Sequence, residues 1–534
     1  APYIVHRPIA KMSADPDSCL PQPVKNFVFD LHDSAFRSLL VSEQASLYNG
    51  TFRDLSSKYF EKSAWPSPEA ISGECDNDAL FLALYKELTH RHYLGYTRTN
   101  LKDHVNGWNV YRSLFDQVIA MADVVSDEPN QGWVLLPEWA FDILHEFVYE
   151  FQGFCQYRTT QAANNNSSSN TTADGAIIEN STLDLLIKHK DAWAVETVLY
   201  YLCRLCSFVN STSPNVTLAH RTLGIFASVA LSRLECLMGD YHASLAALAP
   251  VYSTGEIADE VNAVFPAKLS LAYHAGVSYL MLRRYKDAIR VLGDMCVQMN
   301  RGFTTGTINK KAPGSEQYQK LFDRMIAFLA ILYHITPAAR MEDVILKAIR
   351  DNHGSQLSKI EAGEDGYEDL FLFAAPKFIH PAVPDYGQPQ PATLAQDVST
   401  LQVKQFMSEM SQQQIYRKLR SYMKLYTSIP VSKLAAFNDI KNEEITSYLT
   451  SFKHKMQQLE NNIPLEDDED ATEGSTNPLD GKIGTALDIH YYLVGDVVHV
   501  DEAEKPRQFE AYFLSQIAQS EEILKTLELM STNV

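Results

Sequence analysis

Between Lys25 and Tyr157 apolar residues return every three or four positions, as in Leu80, Leu84 and Leu88 and again in Phe141, Leu144, Phe147 and Phe151. That period follows one face of an α-helix and predicts stacked amphipathic helices. Asn77-Asp78 stands just before the run ALFLALYKEL, where a short polar side chain can accept the first free backbone N–H groups. Pro137, in WVLLPEWAFDIL, suits the first turn of a helix because its missing N–H costs nothing there. Helical patterning resumes at Leu183, and two later segments look alike: LECLMGDYHASLAAL at 234–248 and YLMLRRYKDAIRVL at 279–292. Each has a turn before an aromatic, Tyr241 or Tyr285, and then a small residue, Ser244 or Ala288, that lets paired helices approach. This is the logic of a tetratricopeptide-like, right-handed solenoid. The tyrosines lie 44 residues apart, longer than the usual repeat of ~34, so the repeats are irregular.

Polar and proline-rich stretches interrupt this pattern. Residues 161–182 contain twelve Asn, Ser or Thr, and such low complexity cannot repay the entropy of ordering, so a disordered insert is expected. FLFAAPKFIHPAVPDY, at 371–386, carries three prolines and reads as an ordered, aromatic-rich linker near a boundary. Three helical segments are then expected at Gln412–Thr427, Val431–Phe437 and Glu443–Leu459, followed by a loop at 460–480 with eight acids and no base. In LDIHYYLVGDVVHV, β-formers flank a Gly-Asp turn. Three helices followed by a hairpin describe a winged helix. The last segment places Phe509, Phe513, Ile517, Leu524 and Leu527 on one helical stripe that needs a surface to lie on.

Composition narrows the function. The chain has 534 residues and is 46% hydrophobic, enough for ample core and several domains. A net charge of -20 repels phosphate over most of the surface, which argues against a dedicated nucleic-acid binder. The longest apolar stretch, Met325 to Tyr333, falls far short of the ~20 residues that cross a bilayer, so no membrane contact is expected. The first twenty residues lack an apolar core behind a basic flank, and seven scattered cysteines do not form a disulfide framework. Both point to a reducing compartment, and the Asn-x-Ser/Thr sites at Asn166, Asn170, Asn180 and Asn215 read as chance matches.

Candidate chemistry is sparse. Cys203 and Cys206 have C-x-x-C spacing but sit in an apolar helical run with no second pair to complete a metal site, so buried core thiols are expected. His145-Glu146 begins a zinc-protease signature, yet Tyr149 stands where the second histidine belongs. His90 and His92, two positions apart, point to different helix faces. No phosphate-binding glycine loop and no nucleophile elbow occurs. No enzyme and no cofactor are expected. One electrostatic anomaly remains: Arg417, Lys418, Arg420, Lys424 and Lys433 fall in an acid-free stretch, with Lys453 and Lys455 following. This patch reads first as a solvated face or a complement to an acidic partner, and second as an RNA contact. Tyr422 and Tyr426 share one stripe there and read as core.

The helices around KLYTSIPVSKLAAF at 424–437, followed by LDGKIGTALDIHYYLVGDVVHV at 479–500, resemble the winged-helix half of a PCI domain. NDALFLALYKELTHRHYL at 77–94, EWAFDILHEFVYEFQGFCQYR at 138–158, AGVSYLMLRRYKDAIRVL at 275–292, APKFIHPAVPDY at 375–386 and SFKHKM at 451–456 are similar to the subunit L family of eukaryotic translation initiation factor three. The similarity spans most of residues 20–505 and departs at the 161–182 insert and the 460–480 loop. It implies an N-terminal extension at 1–24, helical repeats at 25–300, a PCI domain at 301–505 with its winged helix at about 411–502, and a bundle helix at 506–534. It also implies a non-catalytic cytoplasmic subunit of the PCI/MPN core, with subunits K and E as first partners and the small ribosomal subunit reached through the complex. Candidate subunit contacts are Tyr491, Tyr492, Val498 and the terminal stripe. The alternatives are a scaffold subunit of the proteasome lid or COP9 signalosome, or a free winged-helix RNA-binding protein.

Overall fold

The computed structural model describes residues 20–97, 99–123, 132–167, 181–252, 257–308, 315–336, 341–362, 366–385, 394–460, 477–485, 489–502, 513, 516–517, 520 and 524. The chain is a solenoid of stacked helices that ends in a winged helix. In the first helix, Gln22–Phe36, Val24, Phe27, Val28 and Leu31 form the buried stripe. Asp78 caps the Ala79–Tyr96 helix by accepting from the N–H groups of Leu80 at 2.9 Å and Phe81 at 3.0 Å. Helices Leu101–Asp123 and Pro137–Ser167 follow, and Pro137 opens the latter as its composition predicts. That helix runs on through 161–167 and the next, Ser181–Lys188, takes in 181–182, so both ends of the expected disordered insert are helical, and 168–180 lie outside the described residues.

The two look-alike segments form helical hairpins. Gly239, at φ +91°, ends the Leu218–Met238 helix in a left-handed turn that a side chain would strain, and the next helix starts at Tyr241. The Phe265–Met281 helix turns into Tyr285–Thr305 through Leu282, Arg283 and Arg284, with Arg283 at φ +62°. The expected close approach occurs at Ser244, whose hydroxyl lies 3.1 Å from that of Ser232 and 3.0 Å from that of Ser278. Three helices can meet there because all three side chains are small. In the Ser315–Ile335 helix every residue from Met325 to Leu332 is fully buried. Among the described residues no helix is long and apolar enough to cross a membrane.

The proline-rich segment after the Gly366–Ala374 helix lies on the solenoid, with the N–H of Ile379 donating to the Leu237 carbonyl at 3.0 Å. A 30-residue helix, Leu394–Met423, then joins two hydrophobic cores. The solenoid core ends at Met410 and the winged-helix core begins at Tyr416. This helix starts well before the expected Gln412 and stops short of Thr427, because Ser428–Pro430 is strand β1. Val431–Phe437 is helical as expected, whereas the next helix, Asn442–Lys455, gives way to strand β2 at Gln457–Glu460. Strand β2 pairs antiparallel with β3, Lys482–Thr485, a ribbon that local pattern does not disclose because its halves flank the acidic loop. Strands β4, Ile489–Val494, and β5, Val497–Glu502, form the hairpin, and the three-stranded order is β1-β5-β4. Gly495, at φ +58°, makes the two-residue turn with Asp496.

The ends of the acidic loop are fixed. Arg284 donates to the carbonyls of Pro478 at 2.9 Å, Leu479 at 2.8 Å and Asp480 at 3.0 Å, while Lys286 pairs with Glu460 at 2.6 Å. Residues 477–480 therefore belong to the folded body, and the remainder of the loop, 461–476, lies outside the described residues.

Candidate assembly surface

Strand β5 is central in its sheet, so among the described residues β4 keeps one edge without a strand neighbour. Alternation along β4 decides which side chains a partner could meet. Tyr491 turns inward, is 7% exposed, donates its hydroxyl to the Leu449 carbonyl at 2.7 Å and stacks on Phe452. Burial pushes its hydroxyl pKa well up. Val498, which pairs with Leu493 on one side and Ile429 on the other, is 0% exposed. Both side chains lie in the winged-helix core, to which period-two alternation assigns them. Tyr492 points outward, half exposed and stacked on His499. Leu493 and Val494 are also exposed, although the sequence reading passed over them; at the hairpin tip both faces emerge from the core. Lys453 donates to the Tyr491 carbonyl at 3.4 Å and so covers one outward acceptor of the edge, as lysines do on sheets that avoid indiscriminate pairing.

In the terminal segment, Phe513, Ile517 and Leu524 are helical and each more than half exposed. Their spacing keeps them on one stripe. Phe509 and Leu527 lie outside the described residues.

The basic residues do not act as one patch. Arg417 lies 3.8 Å from Glu361, and Lys433 sits over the rings of Tyr426 and Phe437. Lys455 pairs with Glu409 at 2.6 Å and bonds to Gln412, so it is an internal strut and not a free contact. Lys418, Lys424 and Lys453 are exposed and Arg420 is half-buried. Tyr422 and Tyr426 pack against the winged-helix core and stack on Phe437.

The remaining candidates resolve locally. Cys203 is exposed and Cys206 half-buried, which overturns the expectation of two buried thiols. The Val195–Cys206 helix buries Val198, Tyr201, Leu202 and Leu205, and that stripe leaves position 203 on the outer face. Burial pushes the Cys206 thiol up to about 12. His90 pairs with Glu150 at 3.2 Å while His92 faces the Phe60 carbonyl at 2.8 Å, so the two diverge as their spacing requires. His145 accepts from Arg233 at 3.0 Å. Among the described residues no group of three or more His, Cys, Asp or Glu could hold a metal ion.

Known proteins match nearly the whole chain. The family model described as Paf67, RNA polymerase I-associated factor PAF67, matches residues 103–520. A protein of Nematostella vectensis named eukaryotic translation initiation factor 3 subunit L is 29% identical over 531 residues, covering 96% of this chain and 94% of its own. The proteins of the same name from Mus musculus and Homo sapiens are 29% and 28% identical, each covering 96% of this chain and 91% of its own.

Proposed function

This chain belongs to the Paf67 family, and from that premise we propose that it is a non-catalytic structural subunit of translation initiation factor three. The observation that carries the reading is the coverage: relatives bearing that subunit's name align with 96% of the chain, solenoid and winged helix together. The structure supports it with two surfaces suited to assembly. The first is the β4 edge with Tyr492, Leu493 and Val494, whose backbone can extend a neighbour's sheet. The second is the stripe of Phe513, Ile517 and Leu524, with Phe509 and Leu527 completing it by sequence, which suits an intersubunit helical bundle. The partners in this reading are subunits K and E first, then the rest of the PCI/MPN core, with the small ribosomal subunit reached through the complex in the cytoplasm. Lys418, Lys424 and Lys453 offer positive charge to an acidic partner, with RNA the alternative.

The test is affinity purification from cell extract of the full chain and of a truncation lacking 506–534, with partners identified by mass. The full chain should recover initiation-factor subunits, and the truncation should recover fewer while keeping its helical circular dichroism. Recovery of proteasome-lid or signalosome subunits, or of no factor subunit, would overturn the reading. The family's description as an RNA polymerase I-associated factor favours a second reading, and recovery of RNA polymerase I subunits alone would support it.

A further inference from the structure

A cavity of ≈ 930 Å³ opens among helices Ala79–Tyr96, Leu101–Asp123 and Pro137–Ser167 and the extended segment that carries Lys377. Asp142, Glu146 and Glu150, spaced at four-residue intervals on one helix face, all line it. The lining also holds two cations, Arg91 and Lys377. Arg91 is already engaged, with Glu87 at 2.6 Å and Asp142 at 3.3 Å, and Glu150 is engaged with His90. Glu146 has no hydrogen-bond or ion-pair partner among the described residues. His104 lines the same cavity, is only 7% exposed, and neither of its ring nitrogens is hydrogen-bonded among the described residues.

These groups share one deficiency. Burial lowers the His104 pKa and keeps the ring neutral, so one of its nitrogens is a free acceptor. Burial, with help from Glu150 and Asp142 and against Arg91 and Arg233, raises Glu146 to about 7, the behaviour of a carboxylate short of positive charge. The wall therefore sets three carboxylates and an imidazole acceptor against two cations, of which Arg91 is already engaged. A buried acceptor left unmatched is costly, and a ligand rich in N–H donors would relieve that cost.

We propose that this cavity binds an organic cation with several N–H donors, a guanidinium or alkylammonium group, held by Glu146 and His104 with Asp142 and Glu150 alongside. The same chemistry is carried by an arginine or lysine side chain of a partner polypeptide and by a free polyamine.

Isothermal titration of the full chain with three probes separates the sources. The probes are spermidine, a capped tripeptide containing arginine, and the same tripeptide with uncharged citrulline. Heat with spermidine, the arginine peptide or both supports the proposal, and the stronger probe identifies the source. E146Q should weaken binding about tenfold, the scale of one charged hydrogen bond. K377A should strengthen it by removing a competing cation. If E146Q fails to fold, as judged by its melting curve, K377A still gives the sign. Absence of heat with both cations at millimolar concentration, equal binding of the citrulline peptide, or binding unaffected by either substitution overturns the proposal.

Discussion

Arg284→Ala should cost more than any surface charge in the protein. Arg284 is 5% exposed, donates to three backbone carbonyls at 478–480, pairs with Asp287 at 2.8 Å and lies over the Tyr279 ring at 5.0 Å. Alanine would leave three carbonyls short of a charged donor, at about 1.5–3 kcal/mol each, and a 3% exposed carboxylate with less compensation. Two effects reduce the sum: Arg290 stays 3.4 Å from Asp287, and water can enter the space vacated. A net loss of about 4 kcal/mol results. For a solenoid of about 390 residues, unfolding with roughly 2 cal/mol/K per residue, that corresponds to a melting temperature lower by about 5 °C. The assay is a thermal melt by circular dichroism, with hydrogen exchange followed on peptides spanning 477–485. Arg284→Lys should recover part of the loss, since an ammonium keeps the charge but cannot fork to three acceptors. Tyr279→Phe removes one bond of 3.1 Å to the Pro478 carbonyl and should cost about 1 kcal/mol, less than additively with Arg284→Ala because the two share an acceptor. A drop below about 2 °C with unchanged exchange at 477–485 would refute the account, because it would mean these bonds are no better than those that water supplies.

Three further outcomes are expected. Replacing 461–476 by a short linker should leave the melting temperature nearly unchanged, whereas extending the deletion through 480 should lower it, since only the second removes the Arg284 acceptors. Gly224→Ala should destabilise by about 1–3 kcal/mol in a denaturant titration, because its Cβ would fall 2.8 Å from the Leu205 carbonyl oxygen and 2.8 Å from Val209 Cγ2, where the helices cannot separate without losing contacts. Stability should also fall on acidification: His145 and His274 are pushed down to about 3, by burial and then by Arg233, so the unfolded chain takes up protons that the folded chain refuses. Each group's contribution is present above its unfolded value of about 6.5 and is lost as pH falls toward 3, at ~1.4 kcal/mol per unit. Glu146, raised to about 7, acts oppositely between about 4.5 and 7 and offsets one histidine. These three groups should together cost about 2 kcal/mol from pH 6.5 to 5 by urea titration, with His334, lowered to about 4 by burial, adding to the loss, and E146Q should deepen it by about 2 kcal/mol; an unchanged slope would contradict the burial argument.

What the sequence determined by itself is local. Asp78 could be placed as a cap because its acceptor needs only the next two or three residues, and Gly495-Asp496 as a turn because strand formers stand on both sides. The turns before Tyr241 and Tyr285, the short Val431–Phe437 helix and the winged-helix class were legible for the same reason. Periodicity also predicted that Ser244 would sit where helices approach, since small size is visible without knowing the neighbour. Which face each stripe turns to the core, and what covers it, was decided only by tertiary structure. Apolar residues nearly all round Val195–Cys206 concealed that Cys203 faces out, and the run of aromatics in β4 concealed that Tyr491 faces in while Tyr492 faces out. Arg284 is separated from its carbonyl partners by almost two hundred residues, β2 from β3 by the acidic loop, and Glu146 from Lys377 by most of the solenoid. A short-range pattern carries no information about partners at such distances. They are chosen when chain packing removes water from all of them together, so the fixed loop root and the acceptor-rich cavity exist only in the folded molecule.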